Sequence, residues 1–256
     1  MELEHVRAVI TGAAGGLGRE FCLRLIQAGA SVSAGDINTS GLRTLRSEAA
    51  GLPGRLTVHS LDVSEEESVC AFVKAASDAL GDVNTLINCA GILRDGVLVS
   101  RDGGASRKMN SSVWKRVLDT NLTGTFYLTR EVANLMVSRS TQGVIINVSS
   151  ICHAGNAGQG NYSASKAAIN AASRSWALEL APHGIRVAVI APGLVSTPML
   201  SNISEEALNR LKQATALHRF ATPHEIWLAV RFAIECEFFT ARVLEVDGGI
   251  ALPAAD

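Results

Sequence analysis

Strand-like and helix-like segments alternate along this 256-residue chain, and the alternation predicts an α/β fold around a doubly wound parallel sheet of about seven strands. Three observations carry that expectation. Short, β-branched apolar runs alternate with longer stretches of helical period. Several of the runs are continuously apolar, such as Val144-Ile145-Ile146 and Val187-Ala188-Val189-Ile190, as strands covered on both faces should be. The unusual residues recur just past the strand ends, the rim where open α/β sheets bind ligands.

The elements follow in order. A strand over 8–11 runs into a glycine-rich turn holding Gly12, Gly15, Gly16, Leu17 and Gly18, which opens a helix over 19–28. A strand over 31–36 ends on Asp36 and precedes a helix over 40–49. A strand over 56–62 ends on Asp62, with Val63 next and a helix over 66–80. The fourth strand, 85–88, leads into Asn88-Cys89-Ala90-Gly91, and a long helix over 112–137 carries Asn121. The strand over 144–149 ends on Ser149 and the helix over 162–180 begins with Tyr162. A strand over 186–191 precedes Pro192-Gly193, and a helix over 223–235 and a strand over 243–246 close the series. With right-handed crossovers these units give a Rossmann-type sheet flanked by helices. No repeat, low-complexity segment or linker interrupts the chain, so one domain over 1–256 is expected.

Composition narrows the function. Lys and Arg number 23 against 24 Asp and Glu, a net charge of −1 with no basic stripe, which argues against nucleic acid as partner. No apolar run approaches the ~18 residues of a membrane span, and Met-Glu-Leu-Glu-His lacks the basic start of a secretion signal. The five cysteines are odd in number and form no Cys-x-x-Cys pair, and no histidines stand at metal-ligand spacing. Reduced thiols in a cytoplasmic protein without a metal site are the expectation.

Tyr162 and Lys166 stand four residues apart, so a helix places them on one face. An ammonium beside a phenol favours the phenolate, and a helix beginning near Asn161 adds its dipole in the same sense. A lowered tyrosine pKa, and with it a proton-exchanging side chain, is therefore expected; a surface tyrosine over a lysine stem is the bland alternative. Glycines after the first strand let the backbone approach a pyrophosphate at a helix N-terminus. Asp36 can accept from a ribose diol and repel a 2′-phosphate, and no Arg or Lys adjoins it, so NAD is expected over NADP. A turn or capping role would also explain an aspartate there.

In combination, the turn at 11–18, Asp62-Val63, Asn88 to Gly91, Asn121, Ser149, Tyr162 with Lys166, and Pro192-Gly193 through Thr197 resemble the short-chain dehydrogenase/reductase family along essentially the whole chain. The resemblance implies that Tyr162 is the general acid/base. Lys166 then tunes it and binds the nicotinamide ribose, and Asn121 holds a water in a proton path. It also implies that Ser149, thirteen residues before the tyrosine, polarises the substrate oxygen, with Ser150 structural. Asp62 and Val63 match adenine-contacting positions; Asn88, Cys89, Ala90 and Gly91 match a stretch beside the cofactor. Pro192, Gly193, Val195 and Thr197 match the segment that grips the carboxamide. Cys89 departs from the asparagine common there.

Two segments are expected to shape the substrate site. Residues 198–217 carry Ile203, Leu208, Leu211 and Leu217 among polar residues, as an amphipathic lid or a docked helix would. Residues 100–107, with Gly103-Gly104 at their centre, look like an insertion forming a polar hairpin or loop. A similar insertion occurs in NAD-dependent type II 3-hydroxyacyl-CoA dehydrogenases, which the chain also resembles at 143–147 and 180–187. That branch implies a 3-hydroxyacyl or 3-ketoacyl thioester, with Arg101 and Arg107 placed to meet coenzyme A phosphates. A 3-oxoacyl carrier-protein reductase, a hydroxysteroid or simple alcohol dehydrogenase, and a catalytically silent NAD(H) sensor are the alternatives. Family members pair their two longest helices, which implies a homodimer or homotetramer here.

Overall fold

The computed structural model describes residues 1–102, 105–198 and 204–250. Seven parallel strands form one sheet: β1 (Arg7–Thr11), β2 (Ser31–Asp36), β3 (Arg55–Ser60), β4 (Thr85–Asn88), β7 (Gly143–Val148), β8 (Ile185–Pro192) and β9 (Val243–Val246). Their order is β3-β2-β1-β4-β7-β8-β9. The chain winds outward from β1 in one direction and then returns to continue from β4 in the other. The switch point between β1 and β4 therefore opens a crevice at the carboxyl ends of both strands.

Side-chain alternation builds two cores. Ala8, Ile10, Val32, Ala34, Ile87, Val144, Ile146, Ala188 and Ile190 face one layer, with Phe21 and Leu25 of α1 (Gly16–Gln27), Leu42 of α2 (Thr39–Glu48) and Trp227 of α8 (Pro223–Glu235). Val9, Leu86, Ile145 and Val187 face the other, with Phe72 of α3 (Glu66–Leu80) and Leu128 and Met136 of α5 (Gly124–Ser138). Each fully buried Leu, Ile or Phe stabilises the fold by roughly 1.5–3 kcal/mol. The sheet is held from both sides, and its rim is correspondingly fixed.

The helix expected over 112–137 is broken into α4 (Ser111–Leu118), a π turn over Asp119–Thr123 and α5. Asn121, fully buried, sits in that π turn. A helical period of 3.6 residues cannot report the one extra residue of a π bulge, so the pattern ran straight through it. The helix carrying Tyr162, α6 (Gly160–Leu180), begins two residues before the tyrosine, close to the expected start. The inserted segment forms an antiparallel hairpin, β5 (Val99–Asp102) with β6 (Ala105–Lys108). Gly103 and Gly104 lie outside the described residues. In the expected lid, α7 (Glu205–Gln213) forms behind Ser204, whose hydroxyl accepts from the Ala207 N–H. No residue of α7 is buried, Leu217 is exposed, and Ile203 lies outside the described residues.

Candidate active site

The glycine turn is shaped by close backbone approach. Gly12 is left-handed (φ +67°), and a Cβ there would meet the Ala90 amide nitrogen at 2.8 Å. Thr11, buried at the end of β1, accepts from the Cys89 and Ala90 N–H groups at 3.2 and 3.1 Å, which fixes the exit of β4 against the turn. A Cβ on Gly18 would strike the Gly12 carbonyl, so helix and turn pack backbone to backbone. A Cβ on Gly15 would meet nothing within 4 Å, and no side chain caps α1. The first amides of α1, at Gly16, Leu17 and Gly18, therefore point their positive ends outward with no capping side chain. These residues fit a dinucleotide pyrophosphate.

Asp36, ending β2, is bound on both oxygens: Oδ2 accepts from the Ala14 N–H at 2.9 Å and Oδ1 from the Asn38 N–H at 2.8 Å. Its charge is thereby held at the edge of the glycine turn. Arg19, the nearest cation past the glycines, is paired with Glu48 of α2. Asp62 lies two residues beyond β3 and folds back to accept from the Ser64 N–H and hydroxyl at 3.0 and 2.6 Å. Val63 is buried against Gly124, where a Cβ would come within 2.9 Å of the valine Cβ. Across the crevice, Gly193 donates to the Val246 carbonyl at 2.9 Å, Val195 bridges to Ala221, and Thr197 lies against Gly16. Pro192 ends β8 in register with Val246.

Two expected side chains turn elsewhere. Asn88 donates to Thr129 at 3.1 Å and to Asn147 at 2.8 Å, and Asn147 donates on to Ser173. This buried ladder ties β4 and β7 to α5 and α6; from Asn88 to Gly91, it is the backbone of residues 89–91 that reaches the crevice. Ser149 is buried, and its hydroxyl donates to the Lys166 carbonyl at 3.2 Å, clamping α6 to β7.

Ser150, read from the sequence as structural, is the serine that meets the tyrosine. Its hydroxyl lies on the phenol side of the turn, where it opposes the larger effect of burial on the Tyr162 pKa. The Cys152 N–H donates to the same oxygen at 3.2 Å, leaving the hydroxyl proton free to point into the site. Spacing pointed to Ser149 because it stands thirteen residues before the tyrosine and Ser150 twelve. The signal that finds Ser150 is strand phase. Ser149 still pairs its backbone with β8, donating to the Ile190 carbonyl at 2.8 Å, and Ser150 is the first residue free of the sheet.

Lys166 is buried, 5% exposed, and donates to the Val148 carbonyl at 2.8 Å. Burial drives its pKa down to about 8. Its ammonium lies 5.5 Å from the Tyr162 ring centroid. The expected low tyrosine pKa is not what this geometry gives: burial is the largest influence and pushes the phenol up to about 12, with the Cys152 and Cys89 thiols adding to the rise and only Ser150 opposing. A phenolate here would lose its water, and the Lys166 ammonium is engaged by the Val148 carbonyl. Burial also pushes the Cys89 thiol up, to about 12.

Asn121 clasps the backbone beyond β4. Its Oδ1 accepts from the Ile92 N–H at 2.8 Å, and its Nδ2 donates to the Ile92 carbonyl at 3.0 Å and to Ser165 at 3.3 Å. Gly91 lies between Asn121 and Lys166: a Cβ there would be 3.4 Å from the amide oxygen and 3.7 Å from the ammonium. Tyr162, Lys166, Ser150, Asn121 and Gly91 thus converge at the end of the crevice lined by the glycine turn and Asp36. Such a constellation can exchange a proton with an oxygen held beside a dinucleotide.

The family model for short chain dehydrogenases matches residues 6–208. The chain belongs to that family, and with it to the oxidoreductases acting on alcohol and keto groups. It is 37% identical over 255 residues to the 3-oxoacyl-[acyl-carrier-protein] reductase of Thermotoga maritima, covering 98% of this chain and all of that protein. It is 31% identical over 261 residues to the (3R)-3-hydroxyacyl-CoA dehydrogenase of Canis lupus familiaris, covering 98% of each. A short-chain type dehydrogenase/reductase from Mycobacterium marinum superposes with a TM-score of 0.91 over 98% of both chains, at 27% identity.

Proposed function

We propose that the protein interconverts a 3-ketoacyl and a 3-hydroxyacyl thioester, with NAD(H) as its cofactor. The observation that carries the reading is the convergence of Tyr162, Lys166 and Ser150 at the rim where Asp36 and the glycine turn meet. When bound, the nicotinamide ring supplies or accepts the hydride. Gly12, Gly15, Gly16, Leu17 and Gly18 would hold the pyrophosphate, Asp36 the adenosine ribose, and Asp62 and Val63 the adenine. Cys89, Ala90 and Gly91 would line the crevice, and Pro192, Gly193, Val195 and Thr197 the carboxamide end.

In reduction, Tyr162 gives its phenolic proton to the carbonyl oxygen as charge develops there; in oxidation it takes the alcohol proton. Ser150 donates a hydrogen bond to the same oxygen, and that donor is most valuable when the oxygen is most negative. Lys166 supplies positive charge next to the phenol, and Asn121 holds the segment at Ile92 that forms the wall beside it. Burial keeps the Tyr162 phenol protonated at neutral pH, the form that acts as the acid in ketone reduction.

Asp36 supports NAD over NADP because its fixed carboxylate would repel a 2′-phosphate, and Arg19 is engaged by Glu48. The thioester class is supported by the likeness to the two acyl-thioester enzymes named above. The β5–β6 hairpin, with Arg101 exposed, and the α7 segment would border the acyl carrier. Free thiols throughout fit a cytoplasmic setting. The test is a panel of acetoacetyl-CoA, carrier-linked β-keto esters, steroids and small ketones, each with NADH and NADPH. Acetoacetyl-CoA reduction with NADH is the expected result. Exclusive activity with steroids or small ketones would overturn the substrate, and NADPH preference would overturn the cofactor. NADH binding with no turnover on any of them would favour a sensor.

A further inference from the structure

Ser150 starts a short 3-10 turn, Ile151–Ala154. Inside that turn its hydroxyl accepts from the Cys152 N–H, and its carbonyl accepts from the His153 N–H at 3.0 Å. The backbone ladder stops one residue earlier, at Ser149, so past that point the turn has left the sheet. Ile151 buries the turn against its neighbours, α6 among them, and one partly exposed side-chain pair ties it to the far edge of the sheet: His153 Nε2 lies 3.0 Å from Glu245 Oε1, across 92 residues of sequence. Glu245 stands on β9, in register with Ala191 of β8.

Glu245 is also close to other parts of the site. The next residue, Val246, accepts from Gly193, and the following turn at Gly248 and Gly249 accepts from Leu217 and Ala216, behind α7. A bond from β9 to the serine turn therefore refers Ser150 to the same strand end that anchors the Gly193 and 216–217 segments.

We propose that His153, through Glu245, is a positioning residue for the reacting serine. The pair touches no reacting atom; it holds the turn so that the Ser150 hydroxyl stays beside Tyr162. The inference rests on the reading of Ser150 and Tyr162 given above. Loss of either partner loosens the outer end of the turn, so turnover falls while cofactor affinity, set at the far end of the crevice, stays constant.

The turn carries its own reporter. Cys152 is half-buried, accepts from Asn156 at 3.9 Å, and burial holds its thiol pKa up. Cys70 on α3 is exposed and serves as a reference in the same sample. The experiment compares wild type, His153→Ala, His153→Gln, Glu245→Ala and the double alanine variant. It reads kcat with acetoacetyl-CoA, the NADH dissociation constant, and the iodoacetamide labelling rate of Cys152 relative to Cys70. Each alanine variant should lose roughly tenfold in kcat, as a small misplacement of a reacting group does, with unchanged NADH affinity and faster Cys152 labelling. The double variant should be no worse than either single one, and His153→Gln, which keeps an N–H donor, should recover most of the loss. Unchanged kcat or unchanged Cys152 labelling in both single alanine variants would overturn the proposal, as would additive losses or a His153→Gln variant as impaired as His153→Ala. If wild type reduces no ketone in the panel, the functional reading fails by itself, and Cys152 labelling alone decides whether the pair holds the turn.

Discussion

Two adjacent serines divide the labour at the end of β7. Ser149 clamps α6 through the Lys166 carbonyl, and Ser150 faces the phenol. Ser150→Ala should therefore cost roughly 10²–10³ in kcat, the usual loss for one oxyanion donor, and Ser149→Ala much less. Steady-state kinetics of the two variants separates these roles. Lys166 carries a second prediction. Its folded pKa, about 8, lies below its ordinary value of 10.5, so the unfolded chain binds the extra proton between them. Stability then rises with pH across that window, and the burial penalty is felt in full below it. Compared with Lys166→Met, wild type should gain in Tm between pH 8 and pH 10; a constant difference would contradict the burial argument. Ala241 is held left-handed (φ +56°), so Ala241→Gly should stabilise by about 1 kcal/mol in urea denaturation. At this scale residue type singled out Tyr162, Lys166, Asn121, Asp36 and the glycines, and the structure gathers them along one crevice. The sequence misled where one residue of spacing decides, at Ser149 and Ser150. It misled again where desolvation competes with charge, at the phenol, because burial cannot be summed from a list of neighbours.

At the scale of elements, the strands were readable as short apolar runs, as in β7 and β8, or as polar-apolar alternation, as in β2 and β3, and α1, α3 and α8 followed from their apolar period. The π turn at Asp119–Thr123 was not, since one extra residue leaves the apolar stripe nearly in phase. Its effect is nonetheless local to the chemistry: it presents Asn121 to both polar groups of Ile92. The Asn88 ladder was also hidden, because a strand-end asparagine reads as a rim residue until its face of the sheet is known. The β5–β6 hairpin stands apart from the main sheet, with Val97 and Leu98 exposed just before it and Val99 exposed at its start. Replacing residues 100–107 by Asn-Gly should leave the thermal transition nearly unchanged and raise KM for acetoacetyl-CoA several-fold, with KM for a small ketone unaffected. Equal KM values for the thioester before and after replacement would remove the hairpin from substrate recognition.

For the whole molecule, two cores on opposite faces hold one rim, and nearly every chemically distinctive residue sits on that rim. Among the described residues, no helix is long and apolar enough to cross a membrane. The long helices leave Trp114, Phe126, Val137 and Leu178 exposed, which suits pairing of α4–α5 and α6 with a second copy. Sedimentation should show a dimer or tetramer, and a monomer at micromolar concentration would refute that assembly. In the proposed reaction, one tyrosine exchanges the proton while the rest of the crevice binds the cofactor. Tyr162→Phe tests it most directly, because it removes one oxygen and leaves the ring and its packing. With acetoacetyl-CoA and NADH, kcat should fall by roughly 10³ or more while the NADH dissociation constant stays within about threefold of wild type. Near-normal turnover in that variant, with NADH binding intact, would show that Tyr162 is not the proton donor.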